Sequence, residues 1–229
     1  MNRQDLESLA SLLPKHPNIL DKGRFFNAAV LIPLVEHSGE YHFLFQKRAE
    51  HIRQGGEICF PGGEHEPEAD SSCKETALRE TEEELGLSRE RIRVIGRLDT
   101  FVSPRGITVD SFPAVLDING LEELELDSSE VERVFLLPVS WFEQNRPQVY
   151  RLRLEIKPSY QDESGQEVTL LPVRELGLPS RYLGPWTGLE HKVFIYNTPE
   201  REVIWGITAE LIQGVLSALR LAREEQEQK

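Results

Sequence analysis

The sequence predicts an α/β fold in which helices sandwich one mixed β-sheet, and three observations predict it. Short β-type apolar runs recur along the chain, the first at 27–35 and the last at 191–196. An acidic helix interrupts them at 72–85, and amphipathic stretches stand before the first run and after the last. No internal repeat or convincing linker divides the 229 residues, a length that suits one generous domain with an elaboration. The boundaries read as an N-terminal helix and lead-in over 1–24, a main domain over 25–223 and a frayed tail over 224–229.

At the N-terminus, Leu6, Leu9, Leu12 and Leu13 keep helical spacing until Pro14 stops the pattern. Asn27–Val35 reads as a buried strand and Tyr41–Gln46 as its partner, with Glu36–Gly39 as the hairpin turn. Lys47 and Arg48 open a basic, Gly-containing loop through Arg53 into Ile58–Phe60. Beyond the acidic helix, strands are expected at Ile92–Leu98, Val109–Ile118 and Val131–Val139; Pro113 hints at an edge or bulge in the second. Ser140–Asn145 reads as one helical turn. Alternation over Val149–Pro158 and again over Val168–Val173, with the turn Asp162–Gly165 between, predicts a long hairpin inside an elaborated region, about 149–200. That region could form a lid, a substrate groove or a homodimer surface. His191–Tyr196 is the last predicted strand, and the i, i+4 stripe Ile207, Leu211, Val215, Leu219 marks a C-terminal helix over Glu202–Arg223.

Composition narrows the function. The net charge of −13 argues against a protein that coats nucleic acid, because phosphate backbones are held by an excess of Lys and Arg. A small phosphorylated ligand is still compatible, since it feels the local field of its site. No apolar run approaches the roughly 18–20 residues that span a bilayer, so no membrane partner is expected. The first residues lack the apolar core of a secretory signal. Cys59 and Cys73, without metal-type spacing, fit a reducing cytoplasm.

Phe60–Leu87 carries the chemistry. Pro61-Gly62-Gly63 makes a turn, an acidic polar loop follows, and Ser72 with Glu75 three residues on fits a capping box. Gly86 stands where a helix ends in a left-handed residue. Cys73, Ala77, Thr81 and Leu85 form a packing face. Glu80, Glu83 and Glu84 share another, where like charges cost about 0.2–0.5 kcal/mol per pair and the last two oppose the helix dipole. Arg79 can pair with Glu75 or Glu83 but cannot neutralise three carboxylates. A divalent cation can, and Mg²⁺ takes one or two protein carboxylates together with waters and phosphate oxygens. A solvated acidic helix end is the bland alternative for such a run taken alone.

The run does not stand alone. Arg79-Glu80-Thr81-Glu82-Glu83-Glu84-Leu85-Gly86-Leu87 resembles the second half of the Nudix box, and Gly62-Gly63 resembles its start. Thr81 replaces a usual aliphatic residue, and residues 64–78 make the gap between Gly63 and Arg79 longer than usual. Asp70, or else Glu68, stands for the mid-loop Glu. The resemblance implies a Nudix-type α/β/α sandwich that hydrolyses a nucleoside diphosphate linked to another group, with Mg²⁺ or Mn²⁺ as cofactor. It makes Glu80 and Glu84 metal ligands, with the Gly63 carbonyl adding an oxygen. Glu83 becomes a further ligand or the proton acceptor, and Arg79 orients the carboxylates.

Outside the box, Lys47-Arg48-Ala49 through Arg53 to Phe60-Pro61-Gly62-Gly63 resembles the segment before the box in coenzyme A diphosphatases. Trp205-Gly206-Ile207-Thr208-Ala209 resembles the start of their C-terminal helix. The implied substrate is coenzyme A or a derivative, cut to 4′-phosphopantetheine and adenosine 3′,5′-bisphosphate. Lys47, Arg48 and Arg53 are then the substrate-binding cations, with Arg105 a weaker one. Phe60 and Trp205 are expected in the core. The competing readings are a Nudix hydrolase of ADP-ribose or a similar diphosphate, and a Nudix-like ligand sensor without catalysis.

Overall fold

The hairpin read at Glu36–Gly39 closes on two residues. Ser38 and Gly39 both take positive φ, 53° and 86°, the turn whose twist matches that of its flanking strands. The computed structural model describes residues 2–14, 18–188 and 190–228. Helix α1 (Arg3–Leu12) precedes the hairpin strands β1 (Phe26–His37) and β2 (Glu40–Arg48). Leu12 and Leu13 are exposed, so the apolar stripe of α1 is not covered there; the side chains of Leu6 and Leu9 lie outside the described residues.

After β2 come β3 (Ile58–Cys59), β4 (Gly62–Glu64), helix α2 (Cys73–Leu85), β5 (Ile92–Val94), β6 (Phe101–Ser103), β7 (Ile107–Leu116) and β8 (Val131–Pro138). The main sheet runs β3-β2-β1-β7-β5, with β8 on β2, β4 on β1 and β6 on β7. Among the described residues only its β1–β7 pair is parallel, from Phe26↔Ile107 to Leu34↔Val115. The sheet is therefore mixed.

Alternation along β1 sorts the two layers. Ala29, Leu31 and Val35 pack toward α2 with Leu44, Phe112 and Ala114. Ile32 and Leu34 face the other way, into a layer built from Phe43, Phe45, Phe60, Phe135 and Phe142 and the C-terminal helix residues Ala209, Leu211, Ile212 and Leu216. Helices thus cover both faces, the α/β/α sandwich the sequence predicts.

Several details differ from the sequence reading. Pro113 sits in an interior strand, where neither edge nor bulge explains it. Its carbonyl accepts from Ile95 N–H at 2.9 Å, so its missing N–H faces the gap between β5 and β6. The expected strand Ile92–Leu98 accordingly stops at Val94, and β4 and β6 are additional.

The long hairpin at 149–173 does not form. Helix α3 (Val139–Gln144) leads into β9 (Gln148–Leu152), which pairs with β14 (His191–Asn197) instead. Between them β10 (Glu155–Ile156) pairs with β13 (Trp186–Thr187), and β11 (Ser159–Gln161) with β12 (Glu167–Thr169). The Asp162 carboxylate accepts from Ser164 and Gln166 N–H, so the turn closes only the few residues beside it.

Strand β15 (Val203–Trp205) completes the β9–β14 sheet, so helix α4 (Gly206–Glu227) starts later than Glu202. It also continues through most of the tail expected to fray, with Lys229 outside the described residues. Phe60 is buried as expected, but Trp205 is 45% exposed. Among the described residues no helix is long and apolar enough to cross a membrane.

Candidate active site

Helix α2 begins and ends where its local chemistry requires. Ser72 Oγ accepts from Glu75 N–H at 3.3 Å. The reciprocal half of the box is absent, because Arg89 holds the Glu75 carboxylate at 3.1 Å. Gly86 has φ 62° and donates to the Glu82 carbonyl at 3.0 Å; a side chain there would run into the Glu125 carbonyl at 2.4 Å. Ala77, Thr81 and Leu85 are fully buried, so the packing face read from the sequence seats the helix on the sheet.

That seating turns the acidic face toward the glycines. Strand β4 pairs with β1, Gly63 opposite Ala29. Gly62 has φ 151°, and a Cβ there would lie 2.3 Å from the Ala29 carbonyl, so the close approach of the chains requires glycine. Gly62 N–H donates to Glu84 Oε2 at 3.0 Å, and the Glu80 carboxyl lies over Gly63. A methyl at Gly63 would meet that carboxyl at 2.5 Å. Gly63→Ala should therefore displace Glu80 and cost about 10²-fold in turnover, the scale of an ångström misplacement. Kinetics beside a melting curve would separate this from global destabilisation.

Arg79 is the hub of the cluster. Its Nε donates to Asp70 at 3.0 Å, its Nη2 reaches Glu80 at 2.9 Å and its Nη1 reaches Glu83 at 2.9 Å. Asp70, read as one of two stand-ins for the mid-loop Glu, thus anchors Arg79, and the guanidinium holds its carboxyl down to about 2. Glu75, the other partner considered for Arg79, binds Arg89.

Burial orders the three helical carboxylates. The Glu84 side chain is almost sealed, and desolvation pushes its carboxyl up to about 7 against the opposing Gln46 amide and Gly62 N–H. Burial raises Glu80 as well, with Arg79 opposing. The Glu83 side chain is 58% exposed.

Among the described residues no group of three or more His, Cys, Asp and Glu side chains is arranged to hold a metal ion. The donors that do meet at β4 are oxygens: two carboxyls whose burial disfavours uncompensated charge, against a backbone that only glycines allow. Such donors fit a hard divalent cation that keeps much of its shell for water and phosphate.

The basic residues divide. Lys47 Nζ lies on Glu132 (3.4 Å) and Glu202 (3.7 Å), a structural engagement. Arg48 Nε donates to the Arg53 carbonyl at 3.2 Å, and its charge acts on both Glu57 and Glu84. Arg53 is exposed. Arg105, from the β6–β7 turn, also acts on Glu57, so it stands near the Arg48 loop.

Two residues near the site escaped the sequence reading. Asp110, paired in register with Ala29, is buried beside the start of α2. Burial opposes its ionisation, yet hydrogen bonds from Lys22, Thr100, Cys73 and Arg97 hold it far below the usual carboxylate range. An acid at an inward position of the alternating run Asp110, Phe112, Ala114, Leu116 was the available signal. Gln46 is the second, at an apolar position of β2.

A mixed-sheet α/β/α sandwich, with two carboxylates of one helix folded over a Gly-Gly strand, defines the class. Residues 25–180 match the NUDIX domain family, and the chain belongs to it. Curated relatives include Nudix hydrolase 3 of Caenorhabditis elegans, 38% identical over 59% of this chain and 58% of the relative. A peroxisomal coenzyme A diphosphatase of Mus musculus is 35% identical over 53% of this chain and 50% of the relative. A mitochondrial coenzyme A diphosphatase of Homo sapiens is 37% identical over 56% of this chain and 55% of the relative. The chain spans about half the length of these relatives.

Proposed function

We propose that the protein is a metal-dependent hydrolase that cleaves the diphosphate of coenzyme A or its derivatives, releasing 4′-phosphopantetheine and adenosine 3′,5′-bisphosphate. The observation that carries the reading is the convergence of Glu80 and Glu84 on Gly62–Gly63, at the end of the Lys47–Gly63 segment that resembles coenzyme A diphosphatases. Two relatives bearing that name support the substrate.

Glu80 and Glu84 hold the Mg²⁺ or Mn²⁺ in this reading, with the Gly63 carbonyl and Glu83 completing the protein's share. When bound, the ion neutralises diphosphate oxygens and lowers the pKa of water. Arg79 keeps Glu80 and Glu83 in place and releases Glu83 as a ligand or as the group that takes the proton of the attacking water. Water adds to one phosphorus, the P–O bond to the bridging oxygen breaks, and each product leaves with one of the two diphosphate phosphorus atoms, the adenosine product also keeping its 3′-phosphate. Arg48 and Arg53 meet the substrate's phosphates, guanidinium matching phosphate bidentately. Lys47 anchors their loop. A cytoplasmic setting belongs to the same reading and rests on the sequence alone, whose two cysteines lack metal-type spacing.

The test is mass analysis of products after the pure protein meets coenzyme A and ADP-ribose together with Mg²⁺ or Mn²⁺. Release of 4′-phosphopantetheine and adenosine 3′,5′-bisphosphate, stopped by EDTA, is the expected result. Cleavage of ADP-ribose alone would overturn the substrate and leave the hydrolase; no cleavage of either would overturn the reading.

A further inference from the structure

Gln46 occupies a position that packing alone does not explain. It is fully buried on β2 and points to the same face as Leu44, with Cys59 and Val134 opposite it on the two neighbouring strands. An apolar side chain would suit that face. Instead, both Nε2 and Oε1 of Gln46 are buried without a hydrogen-bond partner among the described residues. Buried amides are almost always paired, so an orphaned one calls for a role that the resting structure does not display.

The neighbours indicate the role. The Gln46 amide lies near enough to the Glu84 carboxyl and the Cys59 thiol to influence both. One oxygen of Glu84 is already engaged by Gly62 N–H at 3.0 Å. A primary amide carries two donors and an acceptor oxygen, and a carboxylate only accepts. The complementary arrangement is Nε2–H donating to Glu84 while Oε1 accepts from the thiol.

We propose that Gln46 is a positioning residue for Glu84, its amide and the Gly62 N–H together fixing the direction in which the carboxylate presents its free lone pairs. The proposal rests on the reading of Glu84 as a metal ligand. Partners that orient a ligating carboxylate typically carry 10–100-fold in metal affinity. Arg79 provides this for Glu80 from the solvent side, and Gln46 provides it for Glu84 from beneath.

The test compares wild type with Gln46→Met, which keeps the volume and removes the amide, and with Gln46→Leu in case one variant folds poorly. Mn²⁺ affinity of the metal-free protein is read by electron paramagnetic resonance of the free ion, and melting temperature is recorded alongside. The expected result is an Mn²⁺ dissociation constant raised about 10–100-fold in a protein that melts no lower than wild type, with turnover recovering as Mn²⁺ is raised. Mn²⁺ binding at wild-type affinity in either folded variant would overturn the proposal, as would a lower melting temperature with affinity unchanged. Wild-type protein that binds no Mn²⁺ would instead remove the metal reading of Glu84, and Gln46's role with it. That outcome is distinct from binding that ignores the substitution.

Discussion

Glu84→Gln is expected to lower kcat/KM for coenzyme A by about 10³-fold or more, a loss of ~4 kcal/mol in transition-state stabilisation. The fold should melt at the same temperature or higher. Both halves follow from burial: Glu84 is 2% exposed and desolvation already disfavours its charge. A neutral amide of the same shape relieves that cost, and its carbonyl oxygen can still accept from Gly62 N–H. What it removes is an anionic oxygen at the Gly62–Gly63 strand. Product formation by mass analysis and a melting curve on the same preparation check the pair of effects. Undiminished turnover would sink the assignment of Glu84, and a collapsed melting temperature would recast it as structural.

Arg79→Ala should destabilise the protein by about 2–4 kcal/mol, below the fully buried case because Arg79 retains a 27% exposed side chain. It leaves the Asp70 carboxylate, 3% exposed, without its cation, and frees Glu80 and Glu83 to repel each other. For a domain of this size the melting temperature should fall by roughly 4–16 °C. Removing the partner as well should recover part of the loss, so Asp70→Asn with Arg79→Ala closes a double-mutant cycle.

The same pair predicts a pH signature. Asp70 is held at about 2 when folded, below its ordinary value of about 3.9. Its contribution is complete above the unfolded value and is lost as pH falls toward the folded one. Acid denaturation of Asp70→Asn should therefore show less loss of stability between about pH 4 and pH 2 than wild type does. Matching profiles would mean that Arg79 does not stabilise the folded carboxylate.

What was legible in the sequence was mostly local. The cap at Ser72, the left-handed Gly86, the buried face Ala77–Thr81–Leu85 and the hairpin turn within Glu36–Gly39 each depend on neighbours within a few positions. The box residues were legible as a pattern, and the structure brings Glu80 and Glu84 to the glycines. Strands of three residues such as β4, β6 and β15 were not legible, because a distant partner strand and not their own composition makes them strands. The Val149–Pro158 alternation was real but split between two partners, β9 on β14 and β10 on β13, since period alone does not name the partner. Arg79's choice of Asp70 over Glu75 depends on how an extended loop folds back. The engagement of Lys47 by Glu132 and Glu202 joins residues far apart in the chain, and charge counting could not reveal it.

The pairing of β9 with β14 has a consequence for how this chain can vary. Leu152 and His191 lie opposite each other, so the chain between β9 and β14 leaves the framework and returns to it through a single narrow neck. Among the described residues, the Glu80–Glu84–Gly63 arrangement is built from β4 and α2 and takes nothing from that excursion. Length and composition can drift there at small entropic expense, because loop closure grows only logarithmically with length. The fold thus keeps its chemistry on the sheet and α2 and offers the excursion between β9 and β14 as an interchangeable attachment, which a short turn between those strands could replace.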